Sequence, residues 1–154
     1  MISMGEGRAQ VVLSQLAEDR LAVQEVIPLL KDESPAVRAS ACLSLGRWTK
    51  SQSQPGDKTE NAVINSLVNA AEDPNNSIRI MGKQVSDFAV LSLLTMQRPG
   101  ADKAALRSME DWILADRYLL LSWAGRLDLM SESDLSSYHA EQDRIRSSIL
   151  PQRR

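Results

Sequence analysis

The chain has 154 residues, of which 43% are hydrophobic and 25% are charged, with a formal net charge of −2 at pH 7. This composition suits one folded domain and argues against disorder, and no apolar run approaches the roughly 20 residues that cross a bilayer. The single cysteine excludes an intrachain disulfide, and the acidic balance disfavours sequence-independent nucleic-acid binding. Because no secretory signal is visible, the chain is expected in the cytoplasm.

The first predicted helices lie in the N-terminal third of the chain. Residues 8–17 carry apolar side chains at helical spacing and predict the second helix of an incomplete first repeat. A broad apolar face then predicts another helix, in which Pro28 should interrupt the hydrogen-bond ladder. Ser34 is a predicted N-cap with Pro35 at the first helical position, so a further helix begins there. Together these elements predict a full helix pair over residues 20–49.

Two further helix pairs are predicted downstream. The polar segment 49–57 predicts the main loop between repeats. Residues 58–97 predict the second repeat, with a turn at 73–77 and a second helix that includes Ile78. Residues 101–128 predict the third repeat, but its turn contains no proline or glycine. One long bent helix is therefore the alternative for that part of the chain.

A mostly polar helix is predicted at residues 132–150. Its seam positions recur at steps of three, four, three and four residues: Leu135, Tyr138, the interrupting Gln142, Ile145 and Ile149. This spacing is typical of a helix packed against one neighbour. A terminal helix of this kind caps a repeat array, and the alternative is a homodimer seam. We therefore expect a monomer, or a homodimer formed through the terminal helix.

An acid precedes an arginine by six residues at three predicted turns. The pairs are Asp32 and Arg38, Asp73 and Arg79, and Asp111 and Arg117. They start 41 and 38 residues apart, which is the period of a helical repeat array. An arginine on the first turn of a helix can pair within its repeat or with the neighbouring turn. Such a ladder would set the stacking register.

One segment resembles a known repeat family. Residues 26–38 read VIPLLKDESPAVR and are followed by Ala41, Leu45 and Gly46. This stretch resembles the HEAT repeat family, in particular the short bacterial HEAT-like repeats of phycobilisome lyases. The resemblance implies an all-α fold, a right-handed, armadillo-like α-solenoid of helical hairpins that forms a single domain over residues 1–154 with a C-terminal capping helix.

The resemblance also implies a function. In HEAT arrays the second helices line the concave face, and their outward residues contact partners. On this sequence those residues are Arg47, Lys50, Lys83, Asp87 and Arg126. Arg47 and Arg126 each follow a glycine, so they are expected at equivalent places. The implied function is a non-catalytic scaffold or adaptor that presents a concave surface to a partner protein. An accessory subunit of a chromophore lyase or other modifying enzyme is the alternative.

Residues suited to catalysis or metal binding are sparse. His139 is expected in solvent, and Cys42 is expected to be a buried thiol with no group nearby that would lower its pKa. No histidines or cysteines have the spacing of metal ligands, so we expect no enzyme activity, metal or cofactor. Trp112 and Trp123 are similar to aromatics of helical-repeat DNA glycosylases, which leaves a nucleic-acid-binding or glycosylase-like protein as a further alternative. Packing between helices explains them more simply.

Overall fold

The computed structural model describes residues 4–149. The chain divides into two compact units between Glu110 and Asp111. The regular secondary structure of the described part of the chain is helical, apart from one short hairpin. Its helices are α1 (Met4–Ala17), α2 (Val23–Val26), α3 (Pro35–Gln52), α4 (Lys58–Glu72), α5 (Val85–Thr95), α6 (Pro99–Ser108), α7 (Leu114–Trp123) and α8 (Glu132–Ile149). The strands are β1 (Arg79–Ile80) and β2 (Lys83–Gln84), and 3-10 turns cover Ile27–Lys31, Pro74–Ser77 and Leu127–Leu129. None of the helices within residues 4–149 is long and apolar enough to cross a membrane.

The helix pair around Pro28 forms largely as its local sequence predicts. Helix α2 is one turn long and passes into the 3-10 turn Ile27–Lys31, because Pro28 has no N–H with which to continue an α-helical ladder. Ser34 is the N-cap of α3, where its hydroxyl oxygen accepts a hydrogen bond from the Val37 N–H at 3.4 Å. Pro35 occupies the first helical position. These local predictions are confirmed.

Helix α3 runs further than predicted, so the expected loop at residues 49–57 is wrong in its first half. The helix continues to Gln52, and the segment before α4 is only residues 53–57. The hydroxyl groups of Thr49, Ser51 and Ser53 each donate to the carbonyl oxygen one turn back, at 2.8–3.0 Å. These bonds satisfy the polar side chains within a helix, which is why composition alone misplaced the helix end.

The helices of the first unit pack in two layers. Helices α1, α3 and α5 are successive neighbours in one layer, and the turn Ile27–Lys31, α4 and α6 are successive neighbours in the other. Helices α3 and α5 approach closely because Gly46 faces Ser92, whose hydroxyl donates to the Cys42 carbonyl oxygen. The core lies between the layers and includes Val37, Leu45, Val63, Leu67, Val85, Leu93 and Leu94.

The second helix of the predicted repeat 58–97 does not include Ile78. It begins at Val85, and the preceding residues form the antiparallel hairpin β1–β2. Met81 and Gly82 at its tip have φ values of 53° and 82°, the left-handed pair that a two-residue hairpin turn requires. Helical spacing of the apolar residues continues through this segment, but the backbone at Met81–Gly82 interrupts the helix.

In the third predicted repeat, a non-helical segment separates two distinct helices. Helix α6 ends at Ser108 and α7 starts at Leu114, so the alternative of one long bent helix is wrong. The Met109 N–H still donates to the Ala105 carbonyl oxygen, but the Glu110 N–H donates only three residues back, to Arg107, and the α-helical ladder stops. Helix α6 belongs to the first unit and α7 to the second.

The second unit contains the pair α7 and α8. The rings of Tyr118 and Tyr138 stack between these helices with centroids 3.7 Å apart. Ser131 precedes α8 and accepts a hydrogen bond from the Asp134 N–H at 3.1 Å, as expected for its N-cap. No described side chain of α8 is buried. The last residue of the predicted helix 132–150, Leu150, lies outside the described residues.

Candidate functional site

Arg38 joins two successive turns of the first unit. Its Nη1 donates to the Asp32 carbonyl oxygen at 2.8 Å, and its Nε donates to the Asn76 Oδ1 at 2.8 Å. Asn76 is fully buried, and its Nδ2 donates to the Ala70 carbonyl oxygen. One guanidinium therefore ties the turn before α3 to the turn after α4, which also means that α3 and α5 start at the same end of their layer.

The carboxylate of Asp32 pairs with Arg8 of α1 rather than with Arg38. The Arg8 Nη2 lies 2.8 Å from both carboxylate oxygens, and the Ser34 N–H donates to the Asp32 Oδ2 at 2.9 Å. Partial burial pushes the pKa of Asp32 up, but the bonds from Arg8 and Ser34 outweigh it and hold that pKa below its ordinary value of 3.8. Arg8 thus links α1 to the next turn, as Arg38 does for α3.

The other two predicted acid–arginine pairs are not formed. Arg79 lies in β1, not on a first helical turn, and donates to the Gly82 carbonyl oxygen at 2.9 Å, while Asp73 accepts from the Asn75 N–H. Arg117 does lie on the first turn of α7, but its Nη1 is 3.5 Å from Asp134 of α8, and Asp111 is exposed in the preceding turn. The expected ladder therefore links only the turns reached by Arg8 and Arg38.

A buried ion pair that the sequence did not reveal closes the other end of α3. The Arg98 Nη1 is 3.0 Å from the Glu60 Oε2, and these side chains are only 12% and 5% exposed. The Arg98 Nη2 also donates to the Thr49 and Ser53 carbonyl oxygens. The pair joins the start of α4 to the residue before α6 and caps the last carbonyls of α3. Its role is structural, because all of its contacts lie within the fold.

A surface concavity that includes the predicted contact residue Arg47 lies at this end of α3. It has a volume of about 500 Å³, and we call it the Trp48 groove. Its lining residues are Asp19, Arg20, Leu21 and Ala22 from the corner after α1, and Arg47, Trp48, Ser51 and Gln52 from α3. A smaller cavity of about 230 Å³, between Ile27–Lys31 and α4, contains none of the predicted contact residues.

The corner that forms one wall of the groove has an unusual backbone. Asp19 has φ +52°, and the Arg20 N–H donates to the Gln15 carbonyl oxygen at 3.0 Å, which closes α1 in a Schellman motif. Glycine is the usual residue at this left-handed position. Aspartate tolerates it better than most residues do, and here its side chain has a further contact. This left-handed corner was not anticipated from the sequence, although an Asp after a helix is the signal that could have indicated it.

The carboxylate of Asp19 holds the predicted contact residue Arg47. The Arg47 Nη2 lies 3.1 Å from the Asp19 Oδ1 and 3.2 Å from the Leu16 carbonyl oxygen, and the Ser44 hydroxyl also donates to Asp19. Across the corner, Arg20 pairs with Glu18. Both arginines at the groove therefore have acidic partners, and the groove carries little net charge.

Trp48 provides the apolar surface of the groove. It is half-buried, and no described residue accepts a hydrogen bond from its indole N–H. The Arg117 Nε is the only buried side-chain nitrogen or oxygen in the described residues that has no hydrogen-bond partner. The Trp48 indole N–H has no partner either but is not among these buried atoms, so it is open to solvent. The groove thus contains an aromatic ring with an unsatisfied donor, beside two guanidinium groups that have acidic partners.

The structure does not gather the remaining predicted contact residues around this groove. Lys50 is exposed one turn after Arg47. Lys83 lies in β2, and Asp87 accepts the Gln84 N–H at 3.1 Å as part of the cap of α5. Both lie at the opposite end of the layer, near the start of α3. The helical rise from residue 38 to residue 50 puts the two ends of α3 about 18 Å apart.

The sequence suggested that Arg126 and Arg47 occupy equivalent places, but they do not. Gly46 lies inside α3, whereas Gly125 has φ +70° and ends α7. Arg126 follows that end in the second unit and lies 3.3 Å from Asp128. A glycine before an arginine is therefore a coincidence of sequence with two different physical causes, helix packing in one case and a left-handed helix end in the other.

The groups that could carry chemistry lie outside the groove. Cys42 is fully buried, and burial raises the pKa of its thiol to about 12, so it is protonated at neutral pH. His139 is exposed, and its ring is edge-on to Tyr118 and Tyr138. Among residues 4–149, no group of three or more histidine, cysteine, aspartate or glutamate side chains is arranged to hold a metal ion.

Comparison with known proteins bears on the repeat that contains α3. The HEAT repeat family model matches residues 22–52. The match confirms the resemblance over one repeat, which consists of α2, the turn Ile27–Lys31 and α3. No curated protein and no solved structure matches the chain. The groove side chains Arg47, Trp48 and Ser51 lie on α3, the second helix of the matched segment, and HEAT repeats are commonly protein-interaction modules.

Proposed function

We propose that the protein is a non-catalytic scaffold or adaptor that binds a partner protein on the layer formed by α1, α3 and α5. The observation that carries this proposal is the Trp48 groove at the end of α3. A half-buried tryptophan beside a guanidinium held by Asp19 has the composition of an interaction hot spot, in which tryptophan and arginine are enriched. The HEAT repeat match over residues 22–52 supports the same class of function.

The finer architecture belongs to the same proposal. We propose a right-handed α-solenoid that forms a single domain over residues 1–154, with α8 as its cap, working in the cytoplasm as a monomer or as a homodimer through α8. The two layers of the first unit and the mostly polar composition of α8 support the solenoid and the cap. The exposed Ile145 and Ile149 on α8 support the dimeric alternative. Lys83, Asp87 and Arg126 remain proposed secondary contacts.

Site-specific photo-crosslinking in the native cell tests the proposed function. A benzophenone amino acid at Ser51, which is exposed in the groove, is expected to give a discrete cross-linked species. The same amino acid at Asn65, which is exposed on α4 in the other layer, is the matched control and is expected to give none.

The outcome that contradicts the proposal is equally direct. If position 51 gives no cross-linked protein, or if positions 51 and 65 give the same pattern, the layer of α3 is not the binding surface.

A further inference from the structure

We propose that the Trp48 groove binds a proline-rich segment in the polyproline II conformation. This inference rests on the proposed function and names the chemistry of the partner. It depends on three properties of the groove: its charges are already paired, its unsatisfied polar groups include the donors of Trp48 and Arg47, and Trp48 is the only aromatic ring of its discontinuous apolar lining. Each of these properties selects among the forms in which a partner chain can bind.

The paired charges argue against an acidic peptide. Arg47 donates to Asp19, and Arg20 is paired with Glu18, so a carboxylate entering the groove would have to compete with an existing ion pair at each guanidinium. Lys50 is exposed on α3 but is not part of the groove lining, and its charge is screened by salt. A neutral ligand loses nothing by this arrangement and leaves both ion pairs intact.

The unsatisfied groups of the groove call for a ligand that supplies acceptors. The indole N–H of Trp48 has no acceptor among the described residues, and Arg47 uses its Nε and Nη2 but not its Nη1 in the bonds to Asp19 and Leu16. The carboxylate oxygens of Asp19 already accept from Arg47 and Ser44. A polyproline II segment has no internal hydrogen bonds, and its prolines have no N–H, so it offers carbonyl acceptors and requires few in return.

The shape and lining of the groove favour the same ligand over a helix or a strand. An amphipathic helix has its backbone bonds satisfied and needs a continuous apolar groove, whereas this lining alternates Trp48 and Leu21 with charged and polar side chains. An added strand needs a free sheet edge, and the wall here is helical. From Arg47 to Gln52 the groove follows α3 for about 7.5 Å, the length of two to three polyproline II residues. One proline ring can then pack on the indole while the flanking carbonyls meet the donors.

The test uses the whole protein labelled with ¹⁵N and a decaproline peptide as the probe. The chain has three tryptophans, so three indole N–H signals are expected, and Trp48→Phe identifies the one from the groove. Decaproline is expected to shift the Trp48 signal with saturation at high-micromolar to millimolar concentration, while the signals of Trp112 and Trp123 stay in place. A ten-residue glutamate peptide and a ten-residue alanine–serine peptide are the matched controls and are expected to leave Trp48 unmoved at 150 mM salt, about the physiological ionic strength.

Two variants separate the donor from the ring. Trp48→Phe keeps an aromatic plane but removes the N–H, and it is expected to weaken decaproline binding about fivefold, the effect of losing one hydrogen bond. Asn65→Ala, at an exposed position of α4 in the other layer, is the matched surface control and is expected to weaken it less than twofold. Thermal melts of both variants establish that the fold is retained. If Trp48→Phe does not fold, Trp112→Phe and Trp123→Phe assign the Trp48 signal by elimination, and its shift in the wild-type protein decides alone.

The result that overturns the inference is a Trp48 signal that does not move with decaproline, or that moves more with the glutamate peptide. If that happens while the Ser51 cross-link persists, the protein-binding function stands and only the proline-rich partner is wrong. If the cross-link is also absent, the proposed function itself fails.

Discussion

The closest approach of α3 and α5 makes Gly46 the position where a single methyl group should be most costly. A Cβ at Gly46 would lie 2.3 Å from the Ser92 Oγ, 3.0 Å from the Ser92 carbonyl oxygen and 3.1 Å from the Thr95 Oγ1. The Ser92 hydroxyl could rotate away, but it would then lose its hydrogen bond to the Cys42 carbonyl oxygen. The Ser92 carbonyl oxygen belongs to the backbone of α5 and can move only with the helix.

The size of the stability change follows from two costs and one gain. Overpacking of a close interface costs about 1–3 kcal/mol, and the lost hydrogen bond adds about 1 kcal/mol. Replacing glycine by alanine inside a helix returns about 1 kcal/mol. We therefore expect Gly46→Ala to lower the free energy of unfolding by about 1–3 kcal/mol, a fall of several degrees in Tm.

Urea denaturation of matched variants measures this effect. Gly7→Ala is the control, because Gly7 lies in α1 and an added Cβ there has nothing within 4 Å, so the protein should gain up to about 1 kcal/mol. Adding Ser92→Ala to Gly46→Ala should restore part of the loss, since it removes the closest contact but leaves the carbonyl oxygen in place. If Gly46→Ala stabilises the protein as Gly7→Ala does, α3 and α5 are not packed as closely as described here.

Two further predictions concern the ion pairs. Arg98→Met leaves the Glu60 carboxylate buried without its cation and should lower the free energy of unfolding, measured in urea, by about 3 kcal/mol. This value is at the low end for a broken buried pair because the Gly56 N–H still donates to Glu60. The double variant with Glu60→Gln should recover part of the loss, and a double variant no more stable than Arg98→Met would contradict this explanation. The pKa of Asp32 is lower in the folded state, so the unfolded state binds the Asp32 proton more readily. The stabilisation by the ionised carboxylate is therefore fully present above pH 3.8 and is lost as the pH falls through the lower pKa of the folded state. Asp32→Asn removes this stabilisation. Denaturation of the wild-type protein and of Asp32→Asn from pH 7 to pH 2 should show a difference in stability that disappears in acid. A difference independent of pH would refute the role of the charge.

Local signals in the sequence determined most of the helices. Ser34 and Pro35 begin α3, and Pro28 reduces its partner to a short 3-10 turn, because capping and the missing proline N–H act within one turn of chain. The same holds for α4 and α8, whose bounds follow from their apolar spacing and from caps supplied by neighbouring residues. The HEAT-like pattern over residues 26–46 then identified the one repeat that comparison confirms.

The partners of the charged side chains were decided only by the tertiary structure. Arg38 follows Asp32 by six residues, yet the Asp32 carboxylate pairs with Arg8, because α1 packs beside α3 and brings its arginine to that turn. Arg79 keeps the same spacing but lies in a hairpin, where the left-handed backbone at the tip stops the helix. Spacing along a chain determines which residues share a turn, whereas the contact of a long, flexible side chain depends on which other segment is packed within its reach.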